Sequence, residues 1–196
     1  LRSMRRLETG AGRLAKLALA AYATVLAAAG AVVLLRSAHP ITPASEATAG
    51  CSPRDLAHYC RGVRARVSSY NVFANHQPIY AIDGRGSRDL LEKWVSGPQD
   101  RAPWIELLFP EPVDFSSVRL THAGQVERAE YTMRSYRLSC GDGDELRATS
   151  RVEGNEASRA EHALSCLQVD RLRIELDIEP GTGRDVVRLY EIEVVP

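Results

Sequence analysis

The sequence of 196 residues has no net charge: 25 Lys and Arg are matched by 25 Asp and Glu. Bulk nucleic-acid binding draws its affinity from clustered basic side chains meeting phosphates, so no nucleic-acid partner is expected. The spacings that concentrate chemistry are missing too. His39, His58, His76, His122 and His162 are scattered, with no His-Glu-x-x-His, no Gly-x-Ser-x-Gly elbow and no phosphate loop. The cysteines form no Cys-x-x-Cys pair and no His-rich metal spacing. Internal repeats are absent, as is any long amphipathic helix after residue 62. The expectation is a protein that is not an enzyme.

What is present begins at the N-terminus. Residues 1–16, with Arg2, Arg5, Arg6, Arg13 and Lys16, form a basic tail. From Leu17 to Leu35 no side chain is ionisable except Tyr22. As a helix this run reaches about 28 Å, close to a bilayer's hydrocarbon thickness. A transmembrane signal anchor is expected over residues 17–36, with the basic tail cytoplasmic and the rest of the chain extracytoplasmic. A cleaved signal peptide is the alternative, supported by Ala27-Ala28-Ala29 and opposed by the apolar continuation through Leu35. Residues 37–50, small and polar with two prolines, read as a flexible linker.

Cys51, Cys60, Cys140 and Cys166 all follow the membrane segment and are even in number, so disulfides are expected. Three connectivities are open. The economical one joins Cys51 to Cys60 within a short helical lead-in over residues 51–65, and Cys140 to Cys166 within the sheet region.

Beyond the lead-in the sequence alternates with the period of strands. Leu172, Ile174, Leu176 and Ile178 alternate with Arg173, Glu175 and Asp177. Tyr190, Ile192 and Val194 share one face, leaving Glu191 and Glu193 on a wet one. Val118 and Leu120 repeat the pattern, and Tyr131 to Leu138 is a rougher version. Turn signals separate the runs at Asp83-Gly84, Gly97-Pro98, Glu111-Pro112, Gly141-Asp142-Gly143, Gly154-Asn155 and Pro180-Gly181. Many short strands with such turns predict an all-β, antiparallel sandwich.

Seven pieces occur in a telling order: Asp83-Gly84, Trp94-Val95-Ser96, Trp104-Ile105-Glu106-Leu107, Ser139-Cys140-Gly141-Asp142-Gly143, Gly154-Asn155, Arg171-Leu172-Arg173-Ile174 and Glu191-Ile192-Glu193-Val194. Together they resemble the discoidin family, also called coagulation factor 5/8 type C, over residues 66–196. The departures are a long interval from Asp83 to Trp94, Leu146 where a tryptophan is frequent, and cysteines that do not form an end-to-end pair.

The resemblance implies a jelly roll that binds a carbohydrate, a phospholipid head group or a protein surface through loops at one end. Glycan binding needs a flat apolar face and fixed polar groups. Tyr70, Phe73, Asn75, His76, Arg85 and Arg88 are the ligand-binding candidates, followed by Arg101 and His122. Trp94 and Trp104 are expected in the core. Phospholipid insertion ranks lower, because no Leu-Phe or Trp-Trp tip stands out. The resemblance also implies a structural calcium on Asp83 and Glu191, with a plain turn and a solvated strand residue as the alternative. The expected partner is carbohydrate, with a surface protein as the second reading.

Overall fold

The computed structural model describes residues 51–52, 54–86 and 90–196. The expected anchor and linker, and Arg88, lie outside these residues. Among the described residues no helix is long and apolar enough to cross a membrane.

The described residues form seven antiparallel strands: β1 (Arg64–Val67), β2 (Trp94–Val95), β3 (Trp104–His122), β4 (Tyr136–Asp142), β5 (Glu145–Val152), β6 (Arg159–Leu176) and β7 (Arg188–Val195). Two strands are unusually long, and each serves two layers. The first half of β3 pairs with β1 and with the second half of β6, which pairs onward to β4 and then β5. The second half of β3 pairs with the first half of β6 and with β7, and β2 closes that layer.

The change of layer falls where the β3–β6 register shifts, between Leu108 and Ser117. Pro110 and Pro112 withhold two ladder N–H groups there, so bulges bend the strand without reversing it. The turn expected at Glu111-Pro112 is therefore a bend. Opposite it, Gln168 takes a positive φ of 51° and donates its backbone N–H to Asp114 Oδ1 at 2.7 Å.

The core lies between the layers. Ile105, Leu107, Leu138, Leu172 and Ile174 face Val118, Leu120, Ile192 and Val194 from the other side, all with no exposed surface. Tyr136 reaches across, its hydroxyl 2.6 Å from His162 Nε2. The Cys140–Cys166 disulfide joins β4 of one layer to β6 in the other, and Cys51–Cys60 closes the lead-in. Both pairings are those expected. The lead-in's helical part is a single 3-10 turn, Tyr59–Arg61. Asp55 Oδ1 accepts the Val194 N–H at 2.9 Å, and the Leu56 N–H bonds to Val194 O at 2.9 Å, so the lead-in covers the edge of β7 that β2 is too short to reach.

The rough pattern before Leu138 resolves into a 3-10 turn at Ala129–Tyr131 and a strand that begins only at Tyr136. Gly141 is required by space: a Cβ there would lie 1.8 Å from Glu145 O across the β4–β5 hairpin.

Candidate functional site

The residues between β1 and β2, described over 68–86 and 90–93, cap one end of the sandwich and hold most of the candidate residues. Their base is firmly tied. Trp94, fully buried as expected, donates its indole N–H to Ser69 O at 3.0 Å. Asn71 and His76 bridge each other, and their backbones bond to Val95. Between them the chain makes a 3-10 turn, Val72–Ala74, capped by the Asn71 side chain at one end and ended by Asn75 at a φ of 56°. That left-handed residue suits asparagine.

This construction pushes the turn outward. Phe73 is 96% exposed and Val72 60%. Beside them Asn75 Nδ2 donates to Tyr80 Oη at 3.3 Å, and Gln77 Nε2 donates to Asn75 Oδ1 at 2.6 Å. An open aromatic face thus adjoins three linked polar side chains. Sequence reasoning singled out Phe73 and Asn75 but missed Gln77 and Tyr80. The signal was the Asn-x-x-x-Asn frame around the tip.

A second tip, Leu90 and Leu91, is also exposed, and the His76 ring bonds to Leu91 O at 2.9 Å. Beneath, buried Lys93 pairs with Glu127 at 2.9 Å and touches Leu90 O, while Tyr190 Oη donates to Glu127 Oε1 at 2.9 Å. The absence of apolar tips expected from the sequence is thus corrected: Val72-Phe73 and Leu90-Leu91 become tips because the turns that carry them project from the sandwich.

The other candidates are placed variously. Tyr70 is half-buried and packs against the core. His76 is buried as a strut between the loops, and burial holds its ring below the ordinary histidine pKa. Arg85 is paired with Glu92 at 2.7 Å. Arg101 is exposed beside β3, away from the two tips. His122 is a correction: it has no exposed surface and neither ring nitrogen has a hydrogen-bond partner, so it belongs to the core. Burial, with the His162 ring adding, pushes its pKa down to about 3.

The wet face expected for Glu191 is corrected as well. The residue is 4% exposed because the Asp83–Gly86 turn folds over it, with Gly86 N–H donating to Oε2 at 2.9 Å and Gly84 N–H to Oε1 at 3.4 Å. Gly84 holds a φ of +70°, and a Cβ there would meet the His58 ring at 2.5 Å. Burial raises Glu191 to about 8, with the charges of Asp83 and Asp55 adding, and burial raises Asp83 to about 6. Two buried carboxylates are the donor chemistry a calcium ion takes, and each oxygen that holds one N–H keeps a further lone pair. Asp83 and Glu191 thus fit a hard cation in kind. Among the described residues, the acidic, His and Cys groups that converge closely enough for three metal ligands are Cys51, His58 and Cys60, of which the cysteines are bonded to each other.

Trp104 departs from its expected place in the core. It is half-buried on the outer face of its layer, with the Arg173 guanidinium 4.1 Å from its ring centroid. The strand alternation that buries Ile105 and Leu107 necessarily turns Trp104 and Glu106 the other way.

No family model matches the sequence, and no curated protein matches it. Solved structures do. A fucose-binding module of Streptococcus pneumoniae is 19% identical, with 72% of this chain covering 97% of that one at a TM-score of 0.58. The lectin domain of lectinolysin, solved with Lewis B antigen, is 16% identical, with 72% and 96% covered and a TM-score of 0.58. A family 32 carbohydrate-binding module from Clostridium perfringens, solved with galactose, is 14% identical, with 73% and 98% covered and a TM-score of 0.54. The described domain therefore has the galactose-binding-like jelly-roll fold of these modules, the fold that the resemblance to discoidin domains implies.

Proposed function

We propose that the domain is a non-catalytic module that recognises carbohydrate through the loops at residues 71–86 and 90–92. The observation that carries this reading is Phe73, an aromatic ring almost wholly open to solvent at the tip of a tied turn. Its face suits the C–H surface of a sugar ring, and the neighbouring Asn75, Gln77 and Tyr80 offer donors and acceptors to hydroxyls. Holding them in one network before a ligand arrives lowers the ordering cost of binding. The sugar-binding modules that share the fold support the same class of ligand. Screening residues 51–196 on a glycan array, with and without calcium, tests it; no sugar bound in either condition sinks the reading.

A calcium ion on Asp83 and Glu191 is the second part of this reading, with the structural role of pinning the Asp83–Gly86 turn to β7. A rise in melting temperature on adding calcium, abolished in Asp83→Asn, is the expected result. We further propose that residues 17–36 anchor the protein as a single pass, with the domain extracytoplasmic. The long uncharged run and the two disulfides support this. Membrane fractionation decides it, since a mature chain lacking about the first thirty residues would mark a cleaved signal. Binding a surface protein through the same tips is the second reading, favoured by the exposed Leu90 and Leu91.

A further inference from the structure

The outer face of the β1-β3-β6-β4-β5 layer has a feature unrelated to the loop tips. Trp104, Glu175, Arg137 and Arg151 are register partners in sequence across four adjacent strands, so their side chains share one face in a single row. At the usual strand spacing the row is about 14 Å long. Arg137 and Arg151 stand directly opposite each other, and like charges so placed destabilise a sheet. Carboxylates offset the repulsion, Glu175 beside Arg137 and Asp177 beside Arg151.

The row floors a groove of about 570 Å³, with Arg101 at one rim and Arg173 beside Trp104. Four arginines meet two carboxylates there, Glu175 and Asp177. Glu175 is shared between Arg137 at 3.5 Å and Arg173 at 3.3 Å. Arg151 pairs with Asp177 and with Glu153 at 3.6 Å, and Arg173 also holds Glu106 at 3.5 Å. Arg101 has no ion pair among the described residues. Arg101 is therefore the groove's unpaired charge among the described residues, and the planar forks of the groove's guanidinium groups match carboxylate and sulfate. Trp104, its ring covered on one face by the Arg173 guanidinium at 4.1 Å, adds a half-buried apolar border to the groove.

We propose that this groove is a second binding surface, for a polysaccharide bearing carboxylate or sulfate groups. It rests on the reading of the domain as a glycan-recognising module but uses none of the loop residues. The anionic groups sit on Arg101, Arg137 and Arg151, and the sugar chain runs past the Trp104 border.

Affinity electrophoresis of the full chain tests it, with polygalacturonate, heparin and neutral dextran as probes. At least one polyanion retards the wild type, and added salt weakens the effect as screening requires. Retardation by polygalacturonate assigns carboxylate, by heparin alone sulfate. The double variant Arg101→Gln/Arg137→Gln weakens binding about tenfold or more, as expected for lost charge-assisted hydrogen bonds. Its melting temperature remains that of the wild type within a few degrees. Phe73→Ala leaves the polyanion affinity unchanged, so failure at the loops and failure at the groove are separable. No retardation by either polyanion overturns the proposal, and so does equal retardation of the double variant.

Discussion

Arg173 stacks on Trp104 at 4.1 Å while bonding to Glu106 at 3.5 Å and Glu175 at 3.3 Å. Glu106 is itself 3% exposed and also held by Arg66 and Arg171. One guanidinium thus covers an aromatic ring and helps to neutralise a buried carboxylate. Arg173→Ala is expected to destabilise the domain by about 1–3 kcal/mol and shift tryptophan fluorescence to the red. Arg173→Lys recovers only part of this, since an ammonium neither stacks nor forks. Urea denaturation followed by fluorescence measures both effects; an unchanged midpoint in Arg173→Ala refutes the assignment.

Phe73 is expected to matter for ligand and not for stability. With 96% of its surface already in water, Phe73→Ala changes stability by no more than about 0.5 kcal/mol. Binding to whichever neutral glycan the array identifies falls about tenfold or more, as for a lost stacking platform. Calorimetric titration of the two proteins decides, and equal affinities would remove Phe73 from the site.

Glu191 makes stability depend on pH. Its pKa in the fold, about 8, lies above the ordinary 4.5, so folding favours the protonated acid. That contribution is complete below pH 4.5 and is lost as pH rises through 8; Asp83, raised to about 6, acts in the same sense. In the presence of a chelator the wild type should lose at least about 2 kcal/mol across this interval, and Glu191→Gln should lose distinctly less. Parallel declines of the two proteins in urea titrations would show that the dependence lies elsewhere.

His122 acts at the acid end. Held near 3 against an ordinary 6.5, it contributes stability that is present above pH 6.5 and lost as pH falls through about 3. Both of its ring nitrogens are buried without partners, a cost of about 1–3 kcal/mol. His122→Leu removes that cost and should raise the melting temperature, more so at pH 4 than at pH 7. A variant less stable than wild type at both values would mean that the ring contact with Tyr136, 5.5 Å between centroids, outweighs it.

The alternation of Leu172 to Leu176 and of Tyr190 to Val194 was sufficient to predict strands with the correct faces, because a period of two leaves only one way to bury them. Both disulfides were legible by proximity in sequence, Cys51 and Cys60 being 9 residues apart in the lead-in and Cys140 and Cys166 26 apart in the sheet region. The same alternation, read as wet on its other face, misplaced Glu191, because nothing in a strand's period says whether a loop will fold over it. Trp104 was misplaced by its residue type, which outweighed the alternation that turns it away from Ile105.

Local pattern alone therefore determined the all-β sandwich, its turns apart from the bend at Glu111-Pro112, and the resemblance to discoidin domains, since these depend on neighbours within a few residues. Tertiary structure decided the rest. Only the folded chain sets the Phe73 tip beside Gln77 and Tyr80, buries His122, and lines up Trp104, Glu175, Arg137 and Arg151 from four strands. Each of these depends on register or loop packing between segments distant in sequence, where no local periodicity reaches.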